Sequence, residues 1–127
     1  MAADLVLAFD FGLKHIGVAT GQSVTRTATP LCTLAARAGR PDWKEVVALA
    51  KTWRPTCLIV GLPVNMDGSE SEMSERARRF ATTLGQQTRL PVHLVDERLS
   101  SHATRNAGTD NHAAAAALIA ESWLGNR

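Results

Sequence analysis

Apolar and polar positions follow two rhythms along the chain. Leu5 to Phe9 is an unbroken apolar run, and Thr56-Cys57-Leu58-Ile59-Val60 is a second; both have the pattern of strands covered on two faces. Gly12 and Lys14 make a tight turn after the first run, which predicts a hairpin onto a second strand through Ile16 to Thr20. Gly21-Gln22-Ser23 turns the chain again, Thr27 to Leu34 supplies a third strand, and Ala35 to Arg40 reads as a polar connection. The rhythm then lengthens. Val46, Leu49, Ala50 and Trp53 fall at i, i+3, i+4 and i+7, which predicts a helix with Trp53 on its core stripe, capped by Asp42 with Glu45 three residues on and stopped by Arg54-Pro55. Met73, Ala77, Phe80, Ala81 and Leu84 form a second helical stripe, with Gly85 as its stop.

Between these helices the strand at 56–60 ends at Gly61-Leu62-Pro63, and Val64 to Ser71 is too polar and turn-rich to be regular. That loop is either a wall of a site, since α/β sheets bind ligands beyond the C-terminal ends of central strands, or simply a turn at Asp67-Gly68. Pro91 to Val95 is a short last strand that runs into Asp96-Glu97-Arg98. Ser100 or Ser101 can cap a short helix ended by Gly108, and Asp110 or Asn111 can cap the final one. In that final helix His112, Ala115, Ala116, Ile119, Ala120 and Trp123 share one face, and the alanine run from Ala113 to Ala117 lets this face approach a sheet closely.

The order is therefore three antiparallel strands, helix, strand, helix, strand, helix. With the strand at 56–60 parallel to the first, this is the layout of a ribonuclease H-like α/β fold with a mixed five-stranded sheet flanked by helices. A chain of 127 residues without repeats or linker-like tracts is expected to form one domain spanning 1–127. Its formal charge of +2 is mildly favourable to a polyanion and decides little else. Cys32 and Cys57 lack metal or redox spacing and read as reduced core residues. No apolar run approaches the roughly 20 residues that span a bilayer, so a cytosolic protein without a membrane partner is expected.

Within this frame one position stands out. Asp10 closes an otherwise apolar strand, where an unpaired carboxylate must be neutralised, paired or bound to a cation, unless it merely ends the strand and accepts hydrogen bonds from turn amides. Asp96 and Glu97 bring further acid to the end of the last strand. Because strand side chains alternate, only one of the two can join Asp10 on its face. A ribonuclease H-like site gathers such carboxylates around two divalent cations about 4 Å apart, which activate water and stabilise the leaving oxygen of a phosphodiester. Arg76, Arg78 and Arg79 lie within about one helical turn and, with Arg98, could track phosphates or form a solvated face; Lys14 and Asn65 are further candidates for substrate contact.

Three blocks carry a resemblance: Phe9-Asp10-Phe11-Gly12-Leu13-Lys14-His15-Ile16-Gly17-Val18-Ala19, Val60-Gly61-Leu62-Pro63-Val64-Asn65-Met66-Asp67-Gly68-Ser69-Glu70, and Val95-Asp96-Glu97-Arg98-Leu99-Ser100. In order and spacing they resemble the RuvX/YqgF family of Holliday junction resolvases and pre-ribosomal RNA nucleases, over nearly the whole chain. The resemblance implies a metal-dependent nuclease acting on branched DNA or precursor ribosomal RNA. It implies Asp10 and Glu97 as metal ligands, with Asp96 second to Glu97 because related resolvases carry a glutamate at the comparable place. It also exposes a departure, for the family usually opens its last helix with a third aspartate, and the matching position here is His112. His112 as ligand or general base, Asp110 swinging in from upstream, or neither, are all consistent with the residues. An imidazole in place of a carboxylate favours Mn2+ over Mg2+.

Two other classes compete. A catalytically weak protein of the same fold could bind nucleic acid in ribosome biogenesis without cutting it, and His112 is the feature that supports this. An actin-like phosphotransferase would use a similar first hairpin as a phosphate loop, but such enzymes need two lobes and this chain is too short for them. Two-fold cleavage of a junction would call for a homodimer.

Overall fold

The computed structural model describes residues 4–98 and 111–125. The helix expected between Ser100 and Gly108, and the position of Asp110, lie outside the described residues. One sheet organises the rest, in the order β4-β3-β2-β1-β5-β6. Its centre is β1 (Leu5–Asp10), antiparallel to β2 (His15–Gln22) and parallel to β5 (Cys57–Val64). β3 (Thr27–Arg37) runs antiparallel to β2, and β6 (Val92–Arg98) parallel to β5. The expected ribonuclease H-like order is present, but the sheet has six strands instead of five. The extra strand, β4 (Arg40–Pro41), folds back on β3 through Ala38 and Gly39 at φ 52 and 82. Two residues are too few to show a period, so this strand reads in sequence as part of a loop.

β5 runs four residues beyond Val60, through the Gly61-Leu62-Pro63 segment that reads as its end. Proline is tolerated there because β1 pairs only as far as Val60, which leaves Pro63 laddered on the β6 side alone. The helices among the described residues are α1 (Trp43–Trp53), α2 (Glu72–Thr88) and α3 (His112–Gly125). Asp42 caps α1 as expected, its Oδ1 accepting the Lys44 N–H at 3.0 Å. α2 continues through Gly85 and closes on Arg89, a left-handed residue whose N–H bonds back to the Gly85 carbonyl. At its start the fully buried Ser74 hydroxyl accepts the Ser71 N–H at 2.9 Å and donates to the Pro63 carbonyl, tying α2 to the end of β5.

Helices cover both faces. α1 and α2 enclose Leu7, Phe9, Phe11, Leu58, Val60, Leu62, Phe80 and Leu84 on one side, whereas α3 packs Ile119 and Ala120 on Val6, Ala8, Cys57 and Ile59 on the other. Trp53, expected in the core stripe of α1, is instead 37% exposed. Trp43 takes that place by stacking on Phe80 at 5.6 Å between ring centroids.

Candidate active site

Alternation along β1 fixes the side on which its carboxylate lies. Val6 and Ala8 face α3 while Leu7, Phe9 and Phe11 face α1 and α2, so Asp10 points to the α3 side. Its cross-strand partner in β2 is Gly17. A Cβ on Gly17 would lie 1.9 Å from the carbonyl oxygen of His112, so the first residue of α3 rests directly on bare β2 backbone beside Asp10. On the other flank the β1–β5 register, carried one step past its last pair, sets Gly61 next to Asp10. There a Cβ would lie 2.8 Å from Glu97 Oε1 and 2.5 Å from Ile119 Cδ1. Two glycines therefore flank Asp10, one under His112 and one under the Glu97 carboxylate.

This neighbourhood is electrostatically expensive. Burial pushes the Asp10 carboxyl from the usual 3.8 up to about 6, because desolvation disfavours its charged form. A cation would relieve that cost, and carboxylate oxygens are donors suited to a divalent ion. Asp10 and Glu97 are the residues that would hold it, while the backbone carbonyl of His112 lies over Gly17, the β2 partner of Asp10. Among the described residues no group of three histidine, cysteine or carboxylate side chains converges tightly enough to enclose a metal. The His112 ring is occupied in another way: it stacks on His15 at 4.9 Å with an interplanar angle of 16°. A groove of about 390 Å³ opens beside Glu97 between β6 and α3, and Glu97 and Glu121 are among its lining residues, which disfavours a polyanion there.

The sequence-predicted residues separate into groups. Glu97 shares the Asp10 face, as does Val95 two residues earlier, which packs on the α3-side cluster. Asp96 falls on the opposite face, where its charge acts on Arg78 of α2. Arg78 is already engaged by Glu70, with Nε to Oε1 at 2.9 Å and Nη2 to Oε2 at 2.5 Å, and this pairing holds the Glu70 carboxyl below its ordinary range. Arg76 pairs with Glu72 at 3.3 Å, and Arg79 forms no ion pair among the described residues. Lys14 is exposed in the β1–β2 turn. Asn65 holds its own loop, donating from Nδ2 to Ser69 Oγ at 3.0 Å while its N–H reaches the Ser69 carbonyl. The residues that sequence reasoning missed are His15, Gly17 and Gly61. A signal existed for two of them, since His15, Gly17, Ala19 and Gly21 stand at every second position of β2, a small-residue stripe opening on a histidine.

Comparisons with known proteins identify the family and the fold. A family model described as RuvX, Holliday junction resolvase, matches residues 4–126. A protein of Azotobacter vinelandii named "Putative pre-16S rRNA nuclease" is 48% identical over 97% of this chain and 94% of its own length. A Pseudomonas aeruginosa protein of the same name is 48% identical over 98% of this chain and 96% of its own. Among solved structures, Thermus thermophilus RuvC in complex with a Holliday junction substrate covers 93% of this chain and 91% of its own, with a TM-score of 0.60 at 15% identity. The fowlpox virus Holliday junction resolvase covers 96% and 98%, with a TM-score of 0.55 at 9% identity. At such identities these two structures establish the shared ribonuclease H-like fold.

Proposed function

This chain belongs to the RuvX Holliday junction resolvase family, and from that premise we propose that it is a metal-dependent nuclease. Its substrate would be structured nucleic acid, either a four-way DNA junction or the end of a ribosomal RNA precursor, the latter supported by the names of its relatives. The observation that carries the reading is Asp10 between Gly17 and Gly61, with His112 over one glycine and the Glu97 carboxylate over the other. A bound divalent cation supplies a Lewis acid for the phosphoryl oxygen and lowers the pKa of water. Asp10 must lose its proton to bind that ion, and the pairing lowers a pKa that burial has raised. Glu97 reaches over a position that lacks a side chain, so its oxygen can share an ion with Asp10. His15, stacked on His112, fixes the orientation of that imidazole. Asp96 is assigned no ligand role, because alternation along β6 puts it on the face opposite Glu97. Lys14 and Arg79 remain for phosphate contact, Arg76 and Arg78 being engaged by Glu72 and Glu70 until substrate competes for them, whereas the side chain of Arg98 lies outside the described residues.

The test is cleavage of a four-way junction and of a precursor ribosomal RNA end fragment, each in Mg2+, in Mn2+ and in chelator. Cutting that requires the metal and vanishes in folded Asp10→Asn supports the reading, and cutting in excess chelator defeats it. His112 favours a second reading, a binding protein of the same fold with weak activity. Tight binding without cleavage in either metal would select it. Symmetric nicking of a junction would place two copies on one substrate, which sedimentation of the complex measures.

A further inference from the structure

On the face of the sheet opposite Asp10, a cavity of about 350 Å³ lies among the β3–β4 turn, the start of α1 and the middle of α2. Its floor is aromatic. Phe80 sits 5.4 Å from Phe11 and 5.6 Å from Trp43 between ring centroids, the Trp43 ring nearly parallel to it at 26°. Its rim is basic, with Arg40, Arg76 and Arg79 and, among the described residues, no carboxylate in the lining. Arg76 is committed to Glu72, but Arg40 and Arg79 form no ion pair among the described residues. The wall on the β4 side is bare turn backbone, where a Cβ on Gly39 would come 2.7 Å from Phe11 Cζ.

Arginines on a helix surface alone would be a solvated face, and an aromatic cluster alone would be core. Together they complement a group that is flat at one end and anionic at the other, because guanidinium groups chelate phosphate oxygens and aromatic rings accept a base by stacking. The volume lies near the lower end of the roughly 300–1,000 Å³ of ligand pockets, which admits one nucleotide and excludes a duplex. We propose that this cavity receives one unpaired nucleotide of the nucleic-acid substrate, with its base against Trp43 and its phosphate between Arg40 and Arg79. The source of that nucleotide rests on the nuclease reading above. Phe11 follows Asp10 directly, and consecutive Cα atoms are about 3.8 Å apart, so the cavity and the carboxylate occupy two sides of one strand end. A strand crossing the C-terminal end of β1 can present a phosphodiester to Asp10 and, a few nucleotides away, an unpaired base to Trp43. The cavity thus selects junctions, flaps and frayed ends over continuous duplex.

The experiment uses the full chain carrying Trp53→Phe and Trp123→Phe, so that Trp43 is the only tryptophan emitter, with a melting curve to confirm folding. In chelator it is titrated with a short single-stranded oligonucleotide, the same oligonucleotide with an abasic site, and a mononucleotide. The oligonucleotide should quench Trp43, and its affinity should fall about tenfold or more when the base is absent, when the mononucleotide replaces it, or when Arg40→Ala and Arg79→Ala are combined. Equal affinity for mononucleotide and oligonucleotide would overturn the assignment to substrate. A silent Trp43, or unchanged affinity in the arginine pair, overturns the cavity and leaves the nuclease reading standing if Asp10-dependent cleavage persists. Failure to bind or cut any nucleic acid overturns both. Should the tryptophan variants not fold, photo-crosslinking of a 5-iodouridine oligonucleotide to the native chain decides the matter: an adduct at Trp43 supports the proposal, and adducts only elsewhere refute it.

Discussion

The two faces of the sheet are built on opposite principles. Toward α1 and α2 the residues are large, with Phe9, Phe11, Phe80, Leu7 and Leu84 closing a continuous aromatic and aliphatic core. Toward α3 they are small, with Gly17, Ala19, Gly21, Ala116 and Ala120 in contact, and a carboxylate at the strand end. The large face supplies apolar burial, at roughly 25 cal/mol per Å² of area removed from water. The small face gives up much of that to bring α3 backbone onto β2 and to seat Asp10 beside Glu97. Apolar burial and the proposed chemistry are thus divided between faces of one sheet, with β1 contributing to both through alternate residues.

The sharpest way to separate the faces is Asp10→Asn. Activity should fall by about 10³-fold or more, since an anionic ligand is lost. Stability should move the other way. Below pH 3.8 the Asp10 carboxyl is protonated whether the chain is folded or not; between 3.8 and about 6 only the folded state keeps the proton; above 6 the folded state carries the whole desolvation penalty. Without metal the wild-type chain therefore loses stability relative to Asp10→Asn as pH rises from 4 to 6, by up to about 3 kcal/mol at neutral pH. Paired melting curves in chelator across this range check it, and a variant less stable than wild type at pH 7.5 would contradict it.

Phe80→Ala strikes the other face. It removes the ring that contacts Phe9, Phe11 and Trp43, and should cost about 3–5 kcal/mol. At low temperature, where the variant is still folded, cleavage at saturating substrate, normalised to the folded fraction, should stay within a few-fold of wild type, while substrate affinity falls because Phe80 forms the floor of the proposed cavity. A collapse of normalised activity would mean that the faces are coupled.

Within the small face, Gly17→Ala and Gly61→Ala form a finer contrast. The first drives a methyl into His112 backbone at 1.9 Å, so α3 must move, at about 1–3 kcal/mol. The second meets the far ends of Ile119 and Glu97, which can swing away. Gly61→Ala should therefore lower activity more than stability, and Gly17→Ala should lower both. Denaturant melts beside cleavage rates separate the two outcomes. The smallest change is His112→Asp, which should raise the Mg2+-to-Mn2+ activity ratio by about tenfold if the imidazole acts as a ligand. An unmoved ratio would leave His112 only its stacking on His15.

The large face and the sheet order were legible because both follow from period. The apolar run of β1, the stripe of α2 and the Asp42 cap of α1 are local signals, and each is present in the fold. Trp53 was misassigned because a helical stripe gives a face but not where that face stops being covered, and Trp43, one turn earlier than the stripe begins, packs instead. The site was half legible. Asp10 announces itself by interrupting apolar residues, and strand alternation separates Asp96 from Glu97 once β6 is known to continue through both. The glycines flanking Asp10 could not be read, because their role depends on register between strands distant in sequence. Gly61 in particular reads as a strand terminus, whereas within β5 it is the space that the Glu97 carboxylate occupies.

That dependence on distant register has a temporal side. Asp10 and Glu97 stand 87 residues apart, and at the roughly 5–20 residues per second of ribosomal synthesis the first is made about 4–17 s before the second. During that interval the nascent polypeptide can form the β1–β2–β3 hairpins, yet its carboxylate has no β5 beside it, no Glu97 across from it and no α3 above it. The proposed cutting centre cannot exist on a half-translated chain, and a product terminated before β6 would carry the first acid without ever acquiring Glu97 or the helix above it.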